Sequence, residues 1–140
     1  MKEFFDTSTL LAAMVEDDPS HEAALAALSG AEHGYAATHS LAECFATLTS
    51  GRLPVRLAPE TAAELVEVNV ARRLSLVSLT PTEYTSALHL AVGVGARGGA
   101  IYDVLLLAAA RKCGADRIHT LNLRHFSAFA PDLRDKLSQR

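Results

Sequence analysis

No stretch of this 140-residue chain stays apolar long enough to cross a bilayer. The longest useful run, Val104 to Ala110, is fenced by Asp103 and Arg111, whereas a spanning helix needs roughly 20 such residues. The opening Met1-Lys2-Glu3-Phe4-Phe5-Asp6 places acids where a secretory signal needs a basic segment and then an apolar one, so a cytoplasmic protein is expected. Cysteine is scarce. Cys44 and Cys113 have neither CxxC nor zinc-knuckle spacing, and two isolated thiols suit a reducing compartment and a structural, partly buried role. Metal-binding histidine patterns are missing as well: His21-Glu22 begins like HExxH, yet position 25 is Leu and no second His follows, which argues against a zinc hydrolase. Gly95-Ala96-Arg97-Gly98-Gly99 lacks the spacing of GxxxxGK or GxGxxG and reads as a hinge between helices, not a phosphate loop. Repeats, low-complexity segments and linker-like composition are absent. With 49% hydrophobic residues the chain supports one well-covered core and is too short for two ordinary domains, so residues 1–140 are expected to form a single domain.

A strongly basic coat is also lacking, since the net charge is -3. The charges are uneven, however: residues 1 to 51 carry one Lys/Arg and eight Asp/Glu, and residues 111 to 140 carry seven and three. The basic tail is either an RNA-facing strip or an ordinary solvated surface.

What is present is alternation. Short β-leaning runs at Glu3 to Asp6, His33 to Thr38, Ser75 to Leu79 and Arg117 to Leu121 are separated by stretches of helical periodicity. That order predicts a parallel-rich sheet covered by helices, an α/β fold. Thr80-Pro81-Thr82-Glu83 reads as an N-cap, a proline at the first helical position and a reciprocal glutamate, launching a helix towards Val94. Ser40-Leu41-Ala42-Glu43 has the same capping-box spacing and should open the helix after the second strand. A third helix is expected from about Ile101 to Cys113, stopped by Gly114 in the left-handed conformation that often follows a helix end.

Three acids share a context. Asp6 ends the first strand, Glu43 lies in the first turn of the helix after the second, and Asp103 lies near the start of the Leu/Ala-rich helix. In a parallel sheet the strand ends that feed helices lie on one edge, where open sheets bind ligands, so acids distant in sequence meet there. A few carboxylates suit Mg2+ or Mn2+, hard cations that take oxygen ligands and keep several waters. Such a cation neutralises phosphodiester charge and lowers the pKa of a bound water for in-line attack. Each acid also has a plainer use: Asp6 as cap of a helix starting at Thr7 or Ser8, Glu43 closing the capping box with Ser40, and Asp103 favouring a helix N-terminus. The neighbours tilt the balance, because Asp6 follows Phe4-Phe5 and Asp103 precedes Val104-Leu105-Leu106-Leu107. A charge beside core segments is costly unless it is paired or metal-bound.

Phe4-Phe5-Asp6-Thr7-Ser8, Ser40-Leu41-Ala42-Glu43 and Ile101-Tyr102-Asp103-Val104-Leu105-Leu106-Leu107-Ala108 resemble, in order, the first three motifs of the PIN-domain ribonucleases. Thr120-Leu121-Asn122-Leu123-Arg124-His125-Phe126 is similar to the last, which usually holds Asp or Asn where Asn122 stands. Size and the third and fourth motifs are most like the VapC toxins of type II toxin-antitoxin systems. The resemblance implies a three-layer α/β/α sandwich with a mainly parallel sheet, and metal-dependent cleavage of RNA to 5'-phosphate and 3'-hydroxyl ends. It also implies homodimerisation and neutralisation by a small VapB-like antitoxin. Asp6 and Asp103 would be the principal ligands of Mg2+ or Mn2+, with Glu43 close by. Asn122 would give an amide oxygen or hold a water, and its neutrality weakens the case for a second cation. Thr7 and Ser8 would orient Asp6 through their hydroxyls. Arg124 is a candidate RNA contact, whereas His119 and His125 are expected to pack. Asp116 precedes the last expected strand, on the far edge, and is expected to be a surface acid. Phe4, Phe5, Phe45 and Phe126 are expected in the core.

Two other classes compete. A phosphoryl-transfer domain of the dehalogenase or receiver kind also ends its first strand in Asp, but the former wants a second Asp where Ser8 stands and the latter an acidic pair before its phosphorylated Asp. A non-catalytic or RNA-processing PIN-like binding module would use the acids only as caps.

Overall fold

Phe4 and Phe5 are adjacent in the chain and fully buried, yet they belong to different hydrophobic cores, because successive side chains of a strand point to opposite faces. The computed structural model describes residues 1–53 and 56–138. Among these, five strands form one sheet: β1 (Lys2–Phe5), β2 (His33–Ala37), β3 (Ser75–Val77), β4 (Arg117–His119) and β5 (Leu137–Ser138). Every pairing is parallel and the spatial order is β3-β2-β1-β4-β5. Sequence reading anticipated the first four strands: the first was set one residue late, and the next three ran one or two residues too long. The fifth was not foreseen, since two residues carry no periodicity.

On the Phe5 side lie α1 (Thr7–Met14), α2 (His21–Gly30), α3 (His39–Thr49) and α4 (Pro59–Val66), which continues through a π-helical turn at Glu67–Ala71. Leu10, Leu28, Leu48 and Val70 fill this core beside Phe5. On the Phe4 side, α6 (Ala100–Cys113) and α7 (Leu123–Phe129) pack Leu106, Leu107 and Phe126 against Phe4 and Ile118. There α5 (Pro81–Gly93) rests on α6 through Ala87 and Ala91 against Val104 and Leu105. The result is the expected three-layer α/β/α sandwich, and each fully buried large side chain stabilises it by roughly 1.5–3 kcal/mol. No helix among the described residues is long and apolar enough to cross a membrane.

The caps at α5 and α6 follow the sequence. Thr80 Oγ1 accepts from the Glu83 N–H at 3.2 Å and Glu83 Oε1 accepts from the Thr80 N–H at 2.8 Å. Gly114 ends α6 at φ 68°, in the left-handed region. At α3 the expectation fails. The helix begins at His39, and Ser40 is a buried helical residue and not a cap, so Glu43 sits one turn inside the helix. Phe45 also departs from the expected core, being 37% exposed.

Candidate active site

β1 is the centre of the sheet: the chain steps from it to β2 and β3 on one side, then returns to lay β4 and β5 on the other. The carboxyl ends of β1 and β4 therefore flank the point where strand order reverses, the usual ligand crevice of an open α/β sheet. Phe5 pairs with His119 across these strands, so the residues that follow them, Asp6 and Thr120, emerge side by side.

Asp6 is 1% exposed. Its Oδ1 accepts from the Ser8 hydroxyl at 2.7 Å and the Thr9 N–H at 2.9 Å, and its Oδ2 from the Thr120 hydroxyl at 2.5 Å. It does cap α1, as the plainer reading required. A carboxylate has about four lone-pair positions, so three bonds fix its orientation and leave room for about one ligand. Burial pushes the Asp6 carboxyl up, and the bonds from Thr120, Thr9 and Ser8 pull it back. Ser8 Oγ also accepts from the Leu121 N–H at 3.0 Å, and Thr120 Oγ1 from the Asn122 N–H at 2.9 Å. These two hydroxyls pin the loop after β4 to the first turn of α1.

Thr7 serves the second acid. Its hydroxyl donates to Glu43 Oε1 at 3.1 Å and lies 2.8 Å from Ser40 Oγ. A hydroxyl has one proton to give, so with Thr7 donating to Glu43, Ser40 must donate to Thr7. Glu43 is thereby held from α1 and not by a capping box, which overturns that assignment. Burial pushes its carboxyl up, the Thr7 bond and His39 lower it, and Asp6 raises it again. The Asp103 carboxyl is pushed up to about 6, by burial first and then by Asp6, with His125 opposing and Glu43 adding to the rise. The three acids thus lie within each other's fields at one edge.

Among the described residues, no three His, Cys, Asp or Glu side chains stand close enough to enclose a metal ion as they are. Coordination by all three acids together would need the Glu43 and Asp103 side chains to converge on Asp6, whereas one or two carboxylates with waters suffice for a hard cation. The donor set fits a hard cation, since it is all oxygen, mutually repelling and braced by hydroxyls.

Asn122 immediately precedes α7 at the same edge, exposed, and its side chain makes no hydrogen bond to a described residue. Arg124 is exposed on α7. His125, expected to pack, is instead 65% exposed, with Nδ1 3.9 Å from Asp103 Oδ2 and its ring 6.2 Å from that of Phe129. His119 is buried, stacked on Phe5 at 4.6 Å and bonded to Glu3 Oε1 at 2.9 Å. Asp116 lies at the opposite edge, where it accepts from the Lys2 N–H at 2.8 Å. Part of the basic tail is engaged locally: Arg111 pairs with Asp132 at 3.0 Å and Lys112 with Glu83 at 2.7 Å. Cys44 is buried beside the site, and burial pushes its thiol up to about 12, as an inert structural cysteine requires.

Sequence reading assigned no role to Thr120, His39 or Tyr102. The register of β1 against β4 was the signal for Thr120, because it sets a hydroxyl beside Asp6. His39 and Tyr102 stack on each other across α3 and α6, a tertiary contact that no local pattern announces.

A search of curated protein sequences gives no significant match. Among solved structures, the fold is similar to that of Mycobacterium tuberculosis VapC20, described as a Sarcin-Ricin loop cleaving toxin. That match has a TM-score of 0.69 and 19% identity over 84% of this chain and 87% of that one. It is similar also to VapBC2 from Rickettsia felis bound to a DNA fragment from their promoter, with a TM-score of 0.66 and 15% identity over 99% of this chain and 98% of that one. The family model for the PIN domain matches residues 4–130, and the chain belongs to the PIN domain family.

Proposed function

We propose that this chain is a metal-dependent endoribonuclease, a single PIN-like nuclease domain acting as the cytoplasmic toxin of a toxin-antitoxin pair. The observation that supports the reading is that Asp6, Glu43 and Asp103 lie within each other's fields at one sheet edge of a PIN-family chain, with Asp6 buried and held by three hydrogen bonds. Asp6 and Asp103, with Glu43, would hold Mg2+ or Mn2+. When bound, the cation supplies charge neutralisation at a phosphodiester and an activated water.

The chain's own residues do the rest. Asp6 is the fixed point, since moving it would break bonds to Ser8, Thr9 and Thr120 at once. Glu43, held by the Thr7 hydroxyl, and Asp103 would supply the other two carboxylates. Asn122 presents a neutral amide beside them, adding no charge to recruit a second cation. Arg124 is free to meet RNA phosphate. Similarity to a VapC toxin and to a VapBC complex supports an RNA substrate and a small VapB-like antitoxin, and a homodimer is proposed with them.

Incubation of the purified, partner-free chain with a panel of structured RNAs tests this, with Mg2+ or Mn2+, with EDTA, and as Asp103→Asn. Cleavage is expected only with metal and the native acid. Full cleavage by Asp103→Asn would sink the assignment.

A non-catalytic module is the second reading, favoured by the spread of the three acids and the capping role of Asp6. Calorimetry with Mn2+ separates the two: a capping set gives no carboxylate-dependent binding.

A further inference from the structure

Beside the acids runs an open groove of about 510 Å3, lined by His39, Glu43, Ala46, Arg52, Gly99 and Tyr102 among others. Tyr102 is 44% exposed there, one residue before Asp103. Its ring stacks on His39 with centroids 5.1 Å apart and planes 12° from parallel. His39 lies one helical turn before Glu43, with Nε2 3.9 Å from Glu43 Oε1. That Nε2 is buried without a hydrogen-bond partner among the described residues. One face of the tyrosine is thus covered by an imidazole that is itself tied to the site, while the rest opens into the groove. A Cβ added at Gly99 would meet nothing within 4 Å, so the groove is open at that point.

We propose that Tyr102, backed by His39, is a stacking platform for an unpaired base next to the scissile phosphate, with Arg52 meeting the phosphate beyond. The inference rests on the ribonuclease reading and deepens it. Aromatic faces hold bases of unpaired RNA, where the base can splay out of the strand. His39 holds the ring in place before RNA arrives, so less rotamer freedom is lost on binding. Tyr102 and Asp103 are consecutive on the first turn of α6, so a base on the platform and a phosphate at the acids fall within one nucleotide's reach. Ring stacking does not read a base edge, so the platform selects for single-strandedness at the cut more than for a particular base.

The test uses short single-stranded oligoribonucleotides spanning a wild-type cut site, each with 2-aminopurine at one position. Binding is followed by fluorescence in an Asp103→Asn background, where cleavage is blocked. Quenching is expected at the position adjoining the cut. Tyr102→Ala should abolish it and weaken binding by roughly 5- to 150-fold, the range for losing one stacked base. Tyr102→Phe should stay within about twofold, because the aromatic face and not the hydroxyl carries the contact. His39→Ala should weaken binding less than Tyr102→Ala does, and His39→Phe should restore it. Mn2+ affinity, measured with Asp103 intact, should be the same for Tyr102→Ala and wild type, which separates the platform from the metal ligands. A folded Tyr102→Ala chain that binds and cleaves RNA like wild type overturns the platform and leaves the ring to a protein contact. A wild type that neither binds nor cleaves any RNA overturns the ribonuclease reading itself, and the platform with it.

Discussion

Replacing Asp103 by Asn should make the metal-free protein more stable at neutral pH. The Asp103 carboxyl is pushed from 3.8 to about 6 by burial and by the Asp6 charge. A group that holds its proton more tightly folded than unfolded destabilises the fold as pH rises through that window. The cost is absent below about 3.8 and fully present above about 6. At neutral pH the displacement is worth up to about 3 kcal/mol. The Asp103 side chain is 20% exposed, so solvent screens part of that, and a gain of about 1–2 kcal/mol is expected on removing the charge. For a chain of this size that corresponds to a rise in Tm of roughly 3–8 °C. Differential scanning calorimetry in EDTA at about pH 8 should show the rise, and at about pH 4 it should nearly vanish. Saturating Mn2+ should reverse the ranking: at a hundredfold excess over Kd it stabilises wild type by about 2.7 kcal/mol and the variant by far less. A lower Tm for Asp103→Asn at about pH 8, or an equal gain at both pH values, would refute the electrostatic picture of the site.

Thr120→Val removes the hydroxyl that donates to buried Asp6, and urea unfolding should show a loss of about 1.5–3 kcal/mol. Mn2+ affinity, read by calorimetry, should fall roughly 10- to 100-fold, while Thr120→Ser keeps most of both. Thr7→Val removes the bond that lowers the Glu43 carboxyl, so Glu43 needs a higher pH to ionise. The acid limb of the cleavage pH profile should then move to higher pH, and an unmoved limb would exclude Glu43 from that titration. Phe126→Ala empties a fully buried site between α7 and the sheet, and thermal denaturation should report a loss of about 3–5 kcal/mol.

How much of this was legible in sequence varied with the length of the signal. Thr80-Pro81-Thr82-Glu83 and Gly114 were read correctly because capping is decided by three or four neighbouring residues. Asp6 was placed at the ligand edge because parallel topology dictates where strand ends go, whereas Asp103 follows a helix, α5, and reaches the same edge through the packing of α6. Ser40 was misread: its spacing to Glu43 matches a capping box, but its hydroxyl meets Thr7 from another helix, 33 residues away. His125 was assigned to packing beside Phe126, yet a helix turns successive residues about 100° apart, which sends Phe126 inward and leaves His125 facing Asp103. Thr120 and the His39–Tyr102 stack depend on strand register and helix packing, which local patterns do not carry.

The most direct test of the central claim is cleavage of a cut-site RNA whose nucleotide 5' to the scissile phosphate lacks its 2'-hydroxyl. Wild type with Mn2+ should still cut it, leaving 5'-phosphate and 3'-hydroxyl ends, and EDTA or Asp103→Asn should abolish the cut. Loss of cleavage on removing the 2'-hydroxyl would contradict attack by a metal-activated water, and cleavage that survives EDTA would mean that the carboxylates hold no metal for the reaction.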